Sequence, residues 1–332
     1  MTPTVLVTQL EYDKAKAVFD AAESTHALRC LPAPRDESAL AEAVRHHEAG
    51  AVILGVDPYA DALYDALPTG GVITRFGVGH DGVDKAKATA ARLLVANTPG
   101  VLDNAAAEHT IWLIGALARH IPAMHARLVG GTWQATMGHE VQGKKLAVLG
   151  CGGIGARVAA MASLGLGMAI IGLCRRPLAQ RPDLQHLDFA LFTSDLPEAV
   201  ADADFVTLHL PAIPATRHIC NADFFASVKT GARFINTSRG SLVDECALFD
   251  TLATGHLAAA ALDVFDQEPY VPVDPAADLR TLDNVVLTPH AASTTLEACV
   301  KVANRSLANV AAGLARRFGD MDLLNPEVLA QL

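Results

Sequence analysis

The strongest constraint on this chain is the run KKLAVLGCGGIG at 144–155. A strand signal, Lys145–Leu149, runs into Gly150, Gly152 and Gly155, and a helical segment follows from Arg157 to Leu164. Each glycine of a G-x-G-x-x-G turn has its own reason. The first permits a tight turn, the second lets backbone approach a pyrophosphate, and the third lets helix pack on strand. Amides at the helix start, those of Gly153 and Ile154 among them, then face an anion. The pattern alone has other structural uses; its place between strand and helix predicts dinucleotide binding.

The rest of the chain has the same grammar. Strand signals lie at Thr4–Leu10, Ala27–Leu31, Ala51–Gly55, Gly71–Phe76 and Leu93–Asn97. A second series runs Lys145–Leu149, Met168–Cys174, Phe189–Phe192, Phe205–Leu210, Arg233–Thr237, Ala259–Val264 and Val285–Thr288. Helical stretches such as Glu37–His47 and Asp57–Leu67 lie between. Continuous apolar strands alternating with helices predict α/β structure with parallel sheets covered on both faces. The two series predict two doubly wound units joined near Asn97-Thr98-Pro99-Gly100. Asp103 or Asn104 is placed to cap the next helix, apolar through Ile111, Trp112, Ile114 and Leu117. Ser293-Thr294-Thr295-Leu296-Glu297 opens a last helix that returns to the first unit.

Composition removes several function classes. A chain of 332 residues, 51% apolar, is long enough for two domains and too apolar for disorder. With 26 Lys+Arg against 36 Asp+Glu and no basic block, it offers nucleic acid no electrostatic footprint. Six scattered cysteines, without CxxC or His-Glu-x-x-His, predict reduced thiols, a cytoplasmic setting and no metal. The N-terminus has no signal-peptide pattern. The uncharged run Val158–Cys174 is short for a membrane span and broken by Gly165 and Gly167, so helix, turn and strand are expected there.

The second strand of the glycine-loop unit ends Leu173-Cys174-Arg175-Arg176-Pro177, and no Asp or Glu stands between Ala156 and Pro182. An acid there would bind the ribose hydroxyls of NAD. Arg175 and Arg176 instead suit a 2′-phosphate, which predicts NADP, with NAD as the alternative.

Three further segments follow predicted strands: Asn236-Thr237-Ser238-Arg239-Gly240, Leu262-Asp263-Val264-Phe265-Asp266-Gln267-Glu268-Pro269 and Leu287-Thr288-Pro289-His290-Ala291-Ala292-Ser293. Each puts polar residues where open α/β sheets bind ligands. With these segments, with Arg75-Phe76-Gly77-Val78-Gly79-His80-Asp81-Gly82-Val83-Asp84, and with Asn325-Pro326-Glu327-Val328-Leu329, the sequence resembles the D-isomer-specific 2-hydroxyacid dehydrogenase family over nearly its whole length. The resemblance implies a flavodoxin-like substrate-binding domain at 1–99 and 291–332, a Rossmann cofactor domain at 100–290, a cleft between them and a homodimer.

It also implies roles. Arg239 matches the arginine that clamps the substrate carboxylate. His290 matches the acid that protonates the carbonyl oxygen as hydride arrives. Glu268 matches the acid that hydrogen-bonds this histidine. Val78 and Gly79 match the loop whose amides hold the carboxylate. Asp263 matches a residue near the nicotinamide carboxamide, and His209, Pro211, Thr216 and Thr237 match positions lining the cofactor cleft. The chemistry makes independent sense: a 2-keto acid needs a cation, and the alkoxide formed by hydride addition needs a proton donor.

Departures narrow the group. Phosphoglycerate dehydrogenases carry an arginine-rich strand end where this chain reads Gly55-Val56-Asp57-Pro58, and many carry an added regulatory domain, whereas here the chain ends soon after its last helix. Formate dehydrogenases pair their histidine with glutamine. The expectation is a reductase of small 2-keto acids of the glyoxylate, hydroxypyruvate, pyruvate or 2-ketogluconate class. The rivals are a phosphoglycerate dehydrogenase-like enzyme and a dinucleotide-sensing corepressor. His46 and His47 read as a helix end, and Cys151 as a small filler in the glycine loop. Trp133 and Met137 could reach the cleft or a partner subunit, but simple packing is the favoured reading.

Overall fold

The computed structural model describes residues 2–332 and divides into two compact units. One runs to Leu102 and resumes over Thr294–Leu332; the other is Asp103–Ser293. All twelve expected strands form, in two wholly parallel sheets.

The first sheet holds β1 (Thr4–Thr8), β2 (Arg29–Ala33), β3 (Ala51–Leu54), β4 (Val72–Arg75) and β5 (Leu94–Ala96), in the order β2-β1-β3-β4-β5. This is the flavodoxin-like doubly wound order. β3, β4 and β5 are buried at every residue, as continuous apolar strands with helices on both faces must be. The Leu296–Leu314 helix, capped by Thr295 accepting from the Ala298 amide, packs over β4 and β5. The chain beyond it is sewn to β5: Leu324 N–H donates to Val95 O, and the Asn325 side chain accepts from Val95 N–H and donates to Leu93 O.

Asp57–Leu67 departs from expectation, because only Ala62–Ala66 is helical. Glu37, far back in sequence, accepts from the amides of Ala60, Asp61 and Leu63 and so starts the helix late. The Tyr59 amide meanwhile donates to Gly82 O.

The second sheet holds β6 (Lys145–Leu149), β7 (Ala169–Leu173), β8 (Phe189–Thr193), β9 (Phe205–Leu208), β10 (Arg233–Asn236), β11 (Ala259–Leu262) and β12 (Val285–Leu287). Its order is β12-β11-β10-β9-β6-β7-β8. Strand order reverses between β6 and β9, the Rossmann switch point where ligands bind. The glycine-loop helix starts earlier than expected, at Gly153, and its last turn, Met161–Gly165, widens to a π-helix before β7. That sequence of helix, turn and strand accounts for the uncharged run 158–174. Among the described residues no helix is long and apolar enough to cross a membrane.

Asp103 is the first residue of the Asp103–Arg119 helix and not its cap, and its carboxyl is buried. Trp112 lies outward on the same helix. Trp133 and Met137 contradict the packing expectation: each is 90% exposed.

Candidate active site

The four glycines of the loop do different work. Gly150 has φ +104, and a Cβ there would stand 2.6 Å from the His209 carbonyl oxygen. The loop after β6 thus lies on the end of β9, at the switch point. A Cβ on Gly155 would meet Gly150 O at 2.0 Å, and one on Gly153 would meet the Asp103 carboxylate at 2.2 Å. Gly150 and Gly155 are required by backbone packing, and Gly153 makes room for a neighbouring carboxylate. Gly152 is different, since nothing lies within 4 Å of the position its Cβ would take. No fold requirement accounts for that glycine. The open approach to its backbone, at the first turn of the Gly153–Ala160 helix with Ile154, fits an incoming pyrophosphate.

His209 lies beside this loop, with Nε2 3.1 Å from Thr207 Oγ1. Burial pushes its imidazole down to about 3, so the ring is neutral at physiological pH. Burial also pushes the Cys151 thiol up to about 12, which makes it a filler and no nucleophile.

At the end of β7, Arg175 and Arg176 are exposed. Arg181, a residue the sequence did not single out, is buried beside them. It donates to Cys151 O at 2.6 Å, to Cys174 Sγ at 3.5 Å and to both oxygens of Asp183 at 2.6 and 2.9 Å. Asp183, one residue past the carboxylate-free span, is thus already paired.

The polar segments after β10, β11 and β12 stand side by side, because those strands pair in register at Asn236, Leu262 and Leu287. His290 Nδ1 meets Glu268 Oε2 at 2.6 Å, and Glu268 Oε1 accepts from the Phe265 amide at 3.0 Å. A Cβ on Gly240 would fall 1.8 Å from the Phe265 carbonyl carbon. That glycine lets the loop presenting Arg239 close onto the loop presenting Glu268. Arg239 is half-buried; Nη1 donates to Ser238 O, and its own carbonyl accepts from Asn236 Nδ2.

His290 has φ +51, a left-handed conformation uncommon outside glycine. Its amide donates to Asp263 O at 2.8 Å. Asp263 is wholly buried. Its carboxylate accepts from Thr288 Oγ1 at 2.5 Å and from the amides of Ala291 and Ala292, with His109 Nε2 at 3.5 Å. Against the cost of burial, these donors hold the carboxyl below its ordinary value. Asp263 therefore moulds the turn that aims His290. His109 also escaped the sequence reading, because its partners lie far along the chain.

Thr237 is buried, with its hydroxyl 2.8 Å from Thr110 Oγ1. Thr216 Oγ1 donates to Pro211 O at 2.6 Å and accepts from the Ile213 amide, closing the turn after β9.

In the first unit, three successive carbonyls after β4 are turned into the body. Phe76 O accepts from Arg75, Gly77 O from the Thr98 amide, and Val78 O from Asn97 Nδ2. The amides of Val78 and Gly79 follow directly. At the end of β3 the structure brings in a guanidinium the local sequence lacks: Arg35 forks onto Asp57 at 2.6 and 2.8 Å.

Residues 111–292, more than half of the chain, match the D-isomer specific 2-hydroxyacid dehydrogenase, NAD binding domain. A D-3-phosphoglycerate dehydrogenase of Arabidopsis thaliana is 39% identical over 79% of this chain but only 42% of its own length. This chain thus spans under half of that relative. A glyoxylate reductase of Korarchaeum cryptofilum is 34% identical over 90% of this chain and 88% of its own. The fold is also that of an NADPH-dependent glyoxylate/hydroxypyruvate reductase from Sinorhizobium meliloti, solved with NADP and malonate. That match has TM-score 0.80 and 26% identity, over 95% of this chain and 94% of that one. With a glycine loop at the switch point and a histidine–glutamate pair beyond β11 and β12, these matches show that the chain belongs to the D-isomer specific 2-hydroxyacid dehydrogenase family.

Proposed function

We propose that the chain reduces small 2-keto acids to D-2-hydroxy acids with a nicotinamide dinucleotide, its substrates being of the glyoxylate, hydroxypyruvate, pyruvate or 2-ketogluconate class. The observation that carries this reading is the 2.6 Å pair of His290 Nδ1 and Glu268 Oε2 beyond adjacent parallel strands, against the loop presenting Arg239.

Arg239 holds the substrate carboxylate, and in the first unit the amides of Val78 and Gly79 are the substrate-binding positions. Glu268 engages Nδ1, which leaves Nε2 as the ring atom that gives its proton to the carbonyl oxygen. In the reverse direction Nε2 takes the hydroxyl proton. The dinucleotide, when bound, supplies or accepts the hydride at the substrate carbon. Gly150, Gly152, Gly153, Ile154 and Gly155 cradle its pyrophosphate. His209, Pro211, Thr216, Thr237 and Asp263 shape the cleft around it. Arg175 and Arg176, exposed and beside an acid already paired, favour NADPH over NADH.

The partner is a second copy of the chain. The exposed apolar side chains Trp112, Ile121, Leu128, Val129, Trp133 and Met137 support a homodimer surface. Unpaired buried thiols such as Cys30, Cys151 and Cys220 suit a reducing cytoplasm.

A phosphoglycerate dehydrogenase-like activity is the second reading. The Arabidopsis relative favours it, but at the end of β3 the Arg35 charge is cancelled by Asp57. Turnover on a panel of 2-keto acids, phosphohydroxypyruvate included, with both NADH and NADPH tests the proposal. Fastest turnover of an unphosphorylated acid with NADPH is expected. Fastest turnover of the phosphorylated acid selects the second reading. No turnover on any acid leaves a dinucleotide-sensing binding protein.

A further inference from the structure

Arg181 is an unusual arginine for a surface loop. It follows a short 3-10 turn, Leu178–Gln180, yet its side chain is only 8% exposed. Its guanidinium touches three separate pieces of chain. Nη2 donates to Cys151 O inside the glycine loop, Nη1 to Cys174 Sγ at the end of β7, and Nε with Nη2 forks onto Asp183. The segment between Cys174 and Arg181 carries Arg175 and Arg176. Both feet of that segment are therefore held by one side chain, which also holds the loop whose amides would meet the pyrophosphate.

The charge arrangement sharpens the point. Asp183 is the acid nearest in sequence to the two exposed arginines, and it engages Arg181 through both its oxygens. Its negative charge is thereby cancelled close to where a 2′-phosphate would lie. Arg181 spends its own charge in the same contact.

We propose that Arg181 is a positioning residue for dinucleotide binding: its buried guanidinium clasps the glycine loop to the Arg175–Arg176 segment, so that pyrophosphate and ribose phosphate meet preformed partners. This rests on the dinucleotide reading above and deepens it by naming the residue that joins the two halves of the site. The clasp needs the planar fork of arginine. A lysine ammonium keeps the charge but cannot span Asp183 and Cys151 O in the same geometry.

The test compares wild type, Arg181→Lys and Arg181→Ala in steady-state kinetics with NADH and NADPH, each also made in an Arg175→Ala/Arg176→Ala background. Losing hydrogen bonds of a charged group predicts a KM raised in Arg181→Lys for both dinucleotides, about ten-fold or more for NADPH and less for NADH, with kcat held within about two-fold. Arg181→Lys retains the buried charge, so it carries the test if Arg181→Ala does not fold. The ratio of NADPH to NADH efficiency should fall in the wild-type background and stay unchanged when Arg175 and Arg176 are absent. Three results overturn the clasp: wild-type KM values in Arg181→Lys, an equal loss of kcat and of melting temperature with KM unchanged, or a loss of discrimination that persists without Arg175 and Arg176. A wild-type enzyme that prefers NADH removes the 2′-phosphate reading alone. The clasp then still predicts the rise in KM for NADH, and its absence overturns it.

Discussion

The two ligand-facing edges of the second unit are built by opposite means. The glycine loop after β6 is shaped by side chains that are missing: Gly150, Gly153 and Gly155 each make room for a carbonyl or carboxylate within 2.6 Å of an added Cβ. The turn after β12 is shaped by a side chain that is present. The buried Asp263 carboxylate gathers Thr288, Ala291 and Ala292 and holds His290 at φ +51. The first edge tolerates no added atoms at those three positions, and the second no lost acceptors. A dinucleotide cradle needs backbone exposed to phosphate, whereas acid–base catalysis needs one imidazole aimed within a fraction of an ångström.

The contrast should be sharpest at the residues proposed to meet substrate. Arg239→Ala should lower kcat/KM for the keto acid by about 1,000-fold or more, because a clamped anion loses its charge-assisted partner and its orientation together. Dinucleotide affinity, measured by fluorescence titration, should not change. Near-native turnover would detach Arg239 from the substrate.

One step back from the chemistry, Asp263→Asn removes a charged acceptor from under the His290 turn. Turnover should fall by about 10- to 100-fold, since a misaimed proton donor forfeits much of what general acid–base catalysis contributes. Dinucleotide KM should rise less. A rise in KM without loss of kcat would place Asp263 with the cofactor alone.

Within the glycine loop the comparison becomes a pair of variants. Gly155→Ala drives a Cβ to 2.0 Å from Gly150 O. It should destabilise by about 1–3 kcal/mol or more, visible as a lower melting temperature. Gly152→Ala meets nothing within 4 Å and should leave the melting temperature unchanged while raising the dinucleotide KM. Equal melting losses would mean that Gly152 is also structural.

The effect confined to acid conditions concerns His209. Burial lowers the His209 imidazole from its ordinary 6.5 to about 3 in the folded chain. Between those values the unfolded state binds more protons, so this contribution to stability is lost as pH falls below 6.5. His209→Gln should flatten the acid side of the stability curve over that window. An unchanged curve would mean that the ring titrates normally.

Much of this was legible in the sequence, for identifiable reasons. Strands such as β3, β4 and β9 are short apolar runs closed by turn residues, and burial on both faces leaves that signature directly. The segments that hold Glu268 and His290 stood out because they follow such strands, and the family resemblance then pointed to these two residues. What escaped was set by partners distant along the chain. Glu37 stops the Ala62–Ala66 helix from starting earlier, His109 reaches Asp263, and Arg181 reaches back to Cys151. Asp103, expected as a helix cap, turns out to be the carboxyl that Gly153 must clear. Trp133 and Met137 looked like packing residues because hydrophobicity alone cannot say which side of a surface a side chain takes.

The most direct test of the central claim compares wild type and His290→Ala, following NADPH oxidation with glyoxylate and hydroxypyruvate and NADPH binding by fluorescence. The account predicts reduction of at least one acid by wild type, a fall of about 100- to 10,000-fold in kcat for the variant, and unchanged NADPH affinity in both. Turnover by His290→Ala within about ten-fold of wild type would contradict it, because the proton would then come from elsewhere.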